Sequence, residues 1–391
     1  MRDTGLAVPD PRTFADPASA PAAMRELHAL AEASLAAETR QGSDAIDREL
    51  REVLMRRLAG DGTALAMALD GAPSVAVTRH LWRALDAAWS DALLAEGAAI
   101  AVTVFALPVV VVVAAADPDT RGALSGVIGD PEKLAGILGE FGALKGNRTF
   151  ALANVLVAAE AIDIARLPEI RAWTRLPDAF PPGAKLPPRA LSPAPLALHS
   201  GSEAVHLRFL VGTAIAKPGV DLLADTEVGK WGIPFARELA RALGVDGVSV
   251  LALPRAPQRP MPAVSAGRAA QREVSAQLFA SNAIRRFRGS VGEPTAVISA
   301  HRAPDAPGGG ELRLSLSSPF DPRAAEGFRC PLYPLDRVGD VASMLVDLVR
   351  DCRVTDIRAL AGVHADRVAG SGLPLLFKPD TIPDGAQVTL H

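Results

Sequence analysis

Apolar positions fall at helical spacing from about Ala23 to residue 96, and the period then changes. Met24, Leu27, Leu30 and Ala31 share one face, and Ile46, Leu50, Val53, Leu54 and Leu58 make a second stripe. A third helix is expected over 75–96, carrying Trp82, Leu85, Trp89 and Leu93 on one side. Two tryptophans one heptad apart read as core packing rather than as a platform for a cofactor. Asp130 followed by Pro131 marks a helix start, with aspartate at the cap and proline in the first turn. That helix presents Leu134, Ile137, Leu138 and Phe141. The run 150–164 is apolar throughout and reads as a buried helix, with a strand leading into one as the alternative.

Between these helical stretches lies an uncharged segment, 97–116, long enough to cross a bilayer. Half of 99–116 is β-branched, including five consecutive valines at 109–113, and such side chains favour a pleated sheet. Pro108 sits at its centre, where it would break a helix. Neither flank carries the basic or aromatic anchors of a membrane interface. The segment therefore reads as two buried strands joined at Leu107 and Pro108, and not as a membrane span.

The second half of the chain turns to strand periodicity. Val205, Leu207, Phe209 and Val211 alternate with His206 and Arg208. Pro234 is read as the start of a helix bearing Phe235, Leu239 and Leu243, which Gly244 ends. A buried strand over 247–253 follows, then a long helix over 265–288 with Ala276, Phe279, Ala280, Ala283 and Phe287 inward. The strand 295–300 and a second one with Leu312, Leu314 and Leu316 in, and Arg313, Ser315 and Ser317 out, suggest a hairpin. An extended piece over 328–335, a helix with Val338, Val341, Leu345, Leu348 and Cys352, and a strand over 354–360 complete the order. From 247 to 360 this order is β-α-β-β-α-β with one extra extended segment, the ferredoxin-like plan. That plan hosts many unrelated functions.

The expected fold class is thus α/β (α+β). A helical region with buried valine-rich strands comes first and a ferredoxin-like half follows. Residues 1–22, rich in Pro, Ala and Asp, read as an extended arm, and 23–176 as an N-terminal α/β domain. Seven prolines between 176 and 198 mark 177–198 as a linker, leaving 199–391 as a C-terminal α+β domain.

Composition narrows the function classes. Hydrophobic residues make up 49% of the 391, yet aromatics only 4%, which counts against stacking sites for bases or sugars. Only six of the 41 basic residues are lysines, a bias expected of GC-rich coding DNA. The net charge of −3 argues against a cationic nucleic-acid coat. Cys330 and Cys352 lack metal-ligand or disulfide spacing, so neither a disulfide scaffold nor a structural metal is expected, and no motif points to a cofactor. The N-terminus has no apolar core after a basic start, so no secretory signal is read and the cytoplasm is expected.

No phosphate loop, dinucleotide fingerprint, GxSxG or HExxH occurs. The nearest phosphate-loop string, around Lys145, lacks the Gly-Lys-Ser/Thr junction. His199, Ser200, Ser202, Glu203 and His206 contain the parts of a serine–histidine site, but they fit a turn and the polar face of a strand equally well. His301 with Asp305 and His364 with neighbouring Asp366 are candidate acid–base groups. Arg285, Arg286 and Arg288 flank Phe287 and are candidates for an anion or a partner, or simply the basic end of a helix. Three readings follow in order. The first is a structural or assembly protein forming a homo-oligomer or larger protein assembly. The second is an enzyme using His301, Asp305 and His364. The third is a regulatory or nucleic-acid-associated module using the arginine cluster.

Overall fold

The computed structural model describes residues 20–58, 63–94, 101–117, 119–144, 150–163, 166, 170, 191–199, 202–216, 222–223, 227–303, 310–318, 324–333, 336–364 and 388–389. The chain divides into two compact units, Met1–Arg268 and Ala269–His391. The sequence places its boundary in the proline-rich stretch 177–198. The first unit's sheet nonetheless takes strands from both sides of that stretch, because main-chain pairing joins segments far apart along the chain.

The first unit opens with α1 (Ala20–Ala36), α2 (Arg40–Leu58), α3 (Thr63–Asp70) and α4 (Val75–Leu94). Leu27 and Ala31, Leu50 and Leu54, and Leu81 and Leu85 repeat at four-residue spacing and are fully buried together. Trp82 packs half-buried against the same core. The side chains of Trp89 and Leu93 lie outside the described residues. A polar contact also ties these helices: Asp47 on α2 lies 2.9 Å from His80 Nε2 on α4 and accepts from Ser34 on α1 at 2.5 Å.

The valine-rich segment forms one strand, β1 (Ala101–Ala115), and Pro108 does not divide it. Main-chain groups alternate along a strand, and Ala106 N donates toward the β6 (Val248–Pro254) side, to Gln258. The nitrogen of Pro108, two residues on, therefore faces the same side. There the regular β6 ladder has stopped at Pro254, and only Arg255 N returns, donating to Pro108 O. The missing N–H thus falls where no partner waits for it, and the proline is tolerated. The valine run has a physical reason as well. Val109, Val111 and Val113 enter one core while Val110 and Val112 are buried on the opposite face, so no polar alternation appears.

β2 (Gly122–Leu124) pairs with β4 (Leu196–Leu198) as a separate short ribbon. Between them α5 (Pro131–Glu140) starts as the sequence predicts, with Asp130 accepting from Lys133 N at 3.1 Å and Pro131 at the first position. Asp130→Ala is expected to cost about 1 kcal/mol, seen as a lowered thermal midpoint, whereas Asp130→Asn should keep most of the cap. The run read as a buried helix is instead β3 (Phe150–Val157), followed by a single 3-10 turn at Ala159–Ala161. Its apolar residues are divided between two cores: Ala153, Val155 and Val157 face the helices, and Leu152 and Leu156 face away. A strand covered on both faces lacks the period that would distinguish it from a helix.

The four-stranded sheet runs β3-β5-β1-β6, all antiparallel, with β5 (Ala204–Ala216) at its centre beside β1. One face packs on α1–α4 and on the start of the long helix α7 (Pro260–Ser290). The other face packs on α5 and α6 (Val228–Leu243). α6 begins before Pro234, which lies inside it. Trp231 extends the Phe235, Leu239, Leu243 stripe back by one turn, and burying that stripe offsets the hydrogen bond lost at the proline.

The second unit continues along α7 into β7 (Thr295–Arg302), β8 (Gly310–Ser317), β9 (Ala325–Pro331), α8 (Val338–Asp351), β10 (Ile357–His364) and β11 (Val388–Thr389). Its sheet runs β11-β10-β7-β8-β9, antiparallel except for the β10–β7 pair. Leu312, Leu314, Leu316, Ile298 and Cys330 pack against α7 and α8 on one face. The order read as ferredoxin-like is not reproduced by this sheet, because its opening strand, β6, pairs with β1 in the first unit. The chain is mixed α/β with helices leading and two main sheets. No helix among the described residues is long and apolar enough to cross a membrane.

Candidate functional site

The strict alternation of β8 predicts leucines inward and Arg313, Ser315 and Ser317 in solvent. The first half holds and the second does not. Ser315 is 1% exposed, and Glu311, Arg313 and Ser317 are buried with it. This face of the sheet is therefore polar and also covered, and polar groups in such a place must be satisfied.

The register shows which groups meet. Antiparallel pairing sets His301 on β7 opposite Glu311 on β8, and Ser299 opposite Arg313. On the far side of β8, Arg313 faces Arg329 on β9. Parallel pairing with β10 sets His364 at the level of His301. One row across the sheet thus runs His364, His301, Glu311, and the next holds Ser299, Arg313, Arg329. Thr295, Asp356 and Arg358 extend the polar face at the other end of β7: Thr295 Oγ1 donates to Asp356 at 2.9 Å, and Arg358 reaches both oxygens of the same carboxylate.

Glu311 is the electrostatic centre. Arg313 Nε donates to its Oε1 at 2.6 Å, and Arg329 Nε donates to its Oε2 at 2.7 Å. A buried carboxylate between two guanidiniums is neutralised by geometry, and the bonds are charge-assisted. Ser299 Oγ lies 2.9 Å from His301 Nε2, close enough to exchange a proton with the imidazole. Burial tends to push the Asp356 carboxyl up, but hydrogen bonds from Arg358 and Thr295 outweigh this and hold it below the usual carboxylate range. Ser315 Oγ is buried with no hydrogen-bond partner among the described residues.

Of the three acid–base candidates, the structure brings His301 and His364 to one level of the sheet, while Asp305 lies outside the described residues. Sequence reading missed Glu311, Ser299, Arg313 and Arg329 as a group. A local signal existed, since Ser299 and His301, and Glu311 and Arg313, are spaced two apart on strands and must share a face. What joins the two pairs is strand register, which local sequence does not state.

The arginine cluster sits at the end of α7. Arg286 Nε donates to Glu326 at 3.1 Å, Arg288 grips both oxygens of Glu293 and also reaches Arg353 O, and Arg285 bonds Asn282 at 3.3 Å. Phe287 between them is buried in the core. Cys330 lies on the apolar face, where burial pushes its thiol up to about 12 despite Arg272 nearby, so it is protonated at neutral pH and poorly nucleophilic. Cys352 is half-buried, its sulfur 4.0 Å from Ser281 Oγ. Among the described residues no group of three His, Cys, Asp or Glu side chains could hold a metal.

In the His199–His206 segment, His199 and Ser202 form a backbone bridge, Ser200 lies outside the described residues, and His206 Nε2 donates to Ala197 O at 2.8 Å. Burial, with the Arg208 and His199 charges, holds the His206 imidazole below its usual range, although the bond to Ala197 opposes this. The folded chain therefore binds that proton less readily than the unfolded chain. Stability contributed by His206 is present above the ordinary histidine value, about 6.5, and is lost as pH falls below it. His206→Gln should flatten that part of the stability-against-pH curve, measured by urea unfolding between pH 5 and 7. Comparison with protein-family models, with curated proteins and with solved structures gives no match to this chain.

Proposed function

We propose that this chain is a structural or assembly protein that works through contacts with further copies of itself. The observation that carries this reading is where large apolar side chains meet solvent. Ile233, Val245 and Leu251 are 63%, 55% and 54% exposed, the three highest values among the exposed large apolar residues described. All three belong to the α6–β6 segment of the first unit. Leu251 stands on the sheet face opposite Val250 and Ala252, which meet α6, and Ile233 stands on the outer side of α6, so they mark two separate surfaces, each open to a protein contact. Ile233 projects from α6 on the side away from Trp231 and Phe235, so it is not part of that helix's buried stripe.

The test is sedimentation velocity on the full chain, wild type against an Ile233→Asp, Leu251→Asp variant. The reading expects a species larger than one chain for the wild type and a shift toward monomer for the variant. Because both side chains already face solvent, the thermal midpoint should hardly change. A wild type that stays monomeric at every concentration overturns it.

A second reading is acid–base chemistry on the polar face of the C-terminal sheet. The observation favouring it is the shared level of His301 and His364, with Ser299 Oγ against the first imidazole. His301→Gln should then abolish turnover found in a substrate screen while leaving assembly untouched. Unchanged turnover in that variant would remove this reading.

A further inference from the structure

The outer strands of the two main sheets are β3 and β6 in the first unit and β11 and β9 in the second, and an open strand edge is a template for another strand unless something blocks it. The outer edge of β3 is occupied: Ile128 N donates to Asn154 O, Leu156 N to Gly126 O, and Ala194 N to Leu156 O. On β6 the residues turned outward are Val248, Val250, Ala252 and Pro254. Ala252 in the middle of that edge is 2% exposed, so its main chain is covered. β9 differs. Leu332 N donates to Gly310 O and Ser318 N to Ala324 O, which fixes the alternation. Glu326, Phe328 and Cys330 spend their main-chain groups on β8, and Ala325 and Gly327 turn theirs outward. Gly327 is only half-buried, and having no side chain, what it exposes is backbone.

We propose that this β9 edge pairs with the β9 edge of a second copy, antiparallel across a two-fold axis at Gly327, and this rests on the assembly reading above. The residues themselves select that register. Gly327 meets the partner's Gly327, so no side chain obstructs the close approach of the two main chains. Ala325 falls opposite the partner's Arg329, and Glu326 opposite the partner's Phe328, so no like charges face each other. A two-fold axis one residue later would set Ala325 against the partner's Pro331, which has no N–H to give. The shared surface is an isologous one, each strand giving and receiving the same groups. It is also short, so a concentration-dependent dimer is expected from this contact.

The register predicts opposite outcomes from one position. Ala325→Asp sets a carboxylate opposite the partner's Arg329, whose guanidinium is half exposed, and should tighten the dimer about threefold or more. Ala325→Arg sets two guanidiniums together and should weaken it by a similar factor. Gly327→Pro removes an N–H that β8 does not use, so the fold should survive and the dimer should weaken at least about tenfold. Sedimentation equilibrium on the full chain reads all three, with circular dichroism confirming the fold. If the wild type associates and none of the three changes its dissociation constant, the edge pairing is overturned while assembly through another surface stands. If the wild type never associates, both fall.

Discussion

Replacing Gly212 by alanine is expected to destabilise the first unit by about 3 kcal/mol, the upper end of what overpacking a core costs. Gly212 on β5 lies directly opposite Phe105 on β1, and the phenyl ring lies over the glycine. A Cβ at position 212 would come within 2.3 Å of Phe105 Cζ and within 2.8 Å of two further ring carbons. The ring cannot move aside easily. It is fully buried between the sheet and the α5–α6 layer, and it meets Phe150 edge-on with centroids 6.3 Å apart. Urea unfolding should show the loss as a lower midpoint at unchanged slope. Phe105→Leu in the same chain should recover part of it, so that the double variant is more stable than the two single losses predict. Gly267→Ala on α7 is a milder case of the same kind. There the new Cβ meets Leu207 Cδ1 at 2.8 Å, the far end of a side chain that can shift, and two carbons of the buried Phe209 ring at 3.1 Å.

The second large effect is expected at Glu311. Its carboxylate is 2% exposed, and the Arg313 side chain it accepts from is 7% exposed. Glu311→Gln removes the negative charge and leaves the buried guanidinium of Arg313 without that carboxylate, a change that costs about 3 kcal/mol in comparable buried pairs. Arg329 binds the other oxygen, but half of its side chain is in water. Arg329→Gln should therefore cost under about 1 kcal/mol. Replacing both buried partners, Glu311→Leu with Arg313→Leu, should recover most of the loss, because the desolvation of two charges disappears with their attraction. Equal costs for the Glu311 and Arg329 variants would show that burial is not what sets the strength of this network.

How far the sequence carries the fold depends on the kind of signal each element has. The start of α5 was legible because Asp130 and Pro131 act within one turn, where no distant contact can intervene. The alternation of β8 was legible for its leucines but misleading for Arg313 and Ser315, because alternation states which residues share a face and not whether that face meets water. Pro108 argued locally for a break. It is tolerated because of where β6 ends, a fact held more than 140 residues away. For β3 the first reading, a buried helix, gives way to the strand of its alternative, because burial on both faces removes the period that separates strand from helix. The sequence over 247–253 reads as a strand, yet the place of β6 beside β1 decides which unit it joins, and only pairing supplies that.

The candidate site follows the same division. His301 and His364 were each visible as histidines in polar surroundings near strand ends. Their common level on the sheet comes from the parallel β7–β10 pairing, which closes over 60 residues of intervening chain. Arg285, Arg286 and Arg288 stood out as a local cluster. Their carboxylate partners differ in how readable they were: Glu293 is five residues from Arg288, while Glu326 is 40 from Arg286.

The claim that this protein works by assembling is tested most directly by the mass of the full chain in solution, measured by sedimentation across a wide concentration range. The account predicts association that grows with concentration and responds to charge at Ala325. A single species of one chain's mass at every concentration would contradict it.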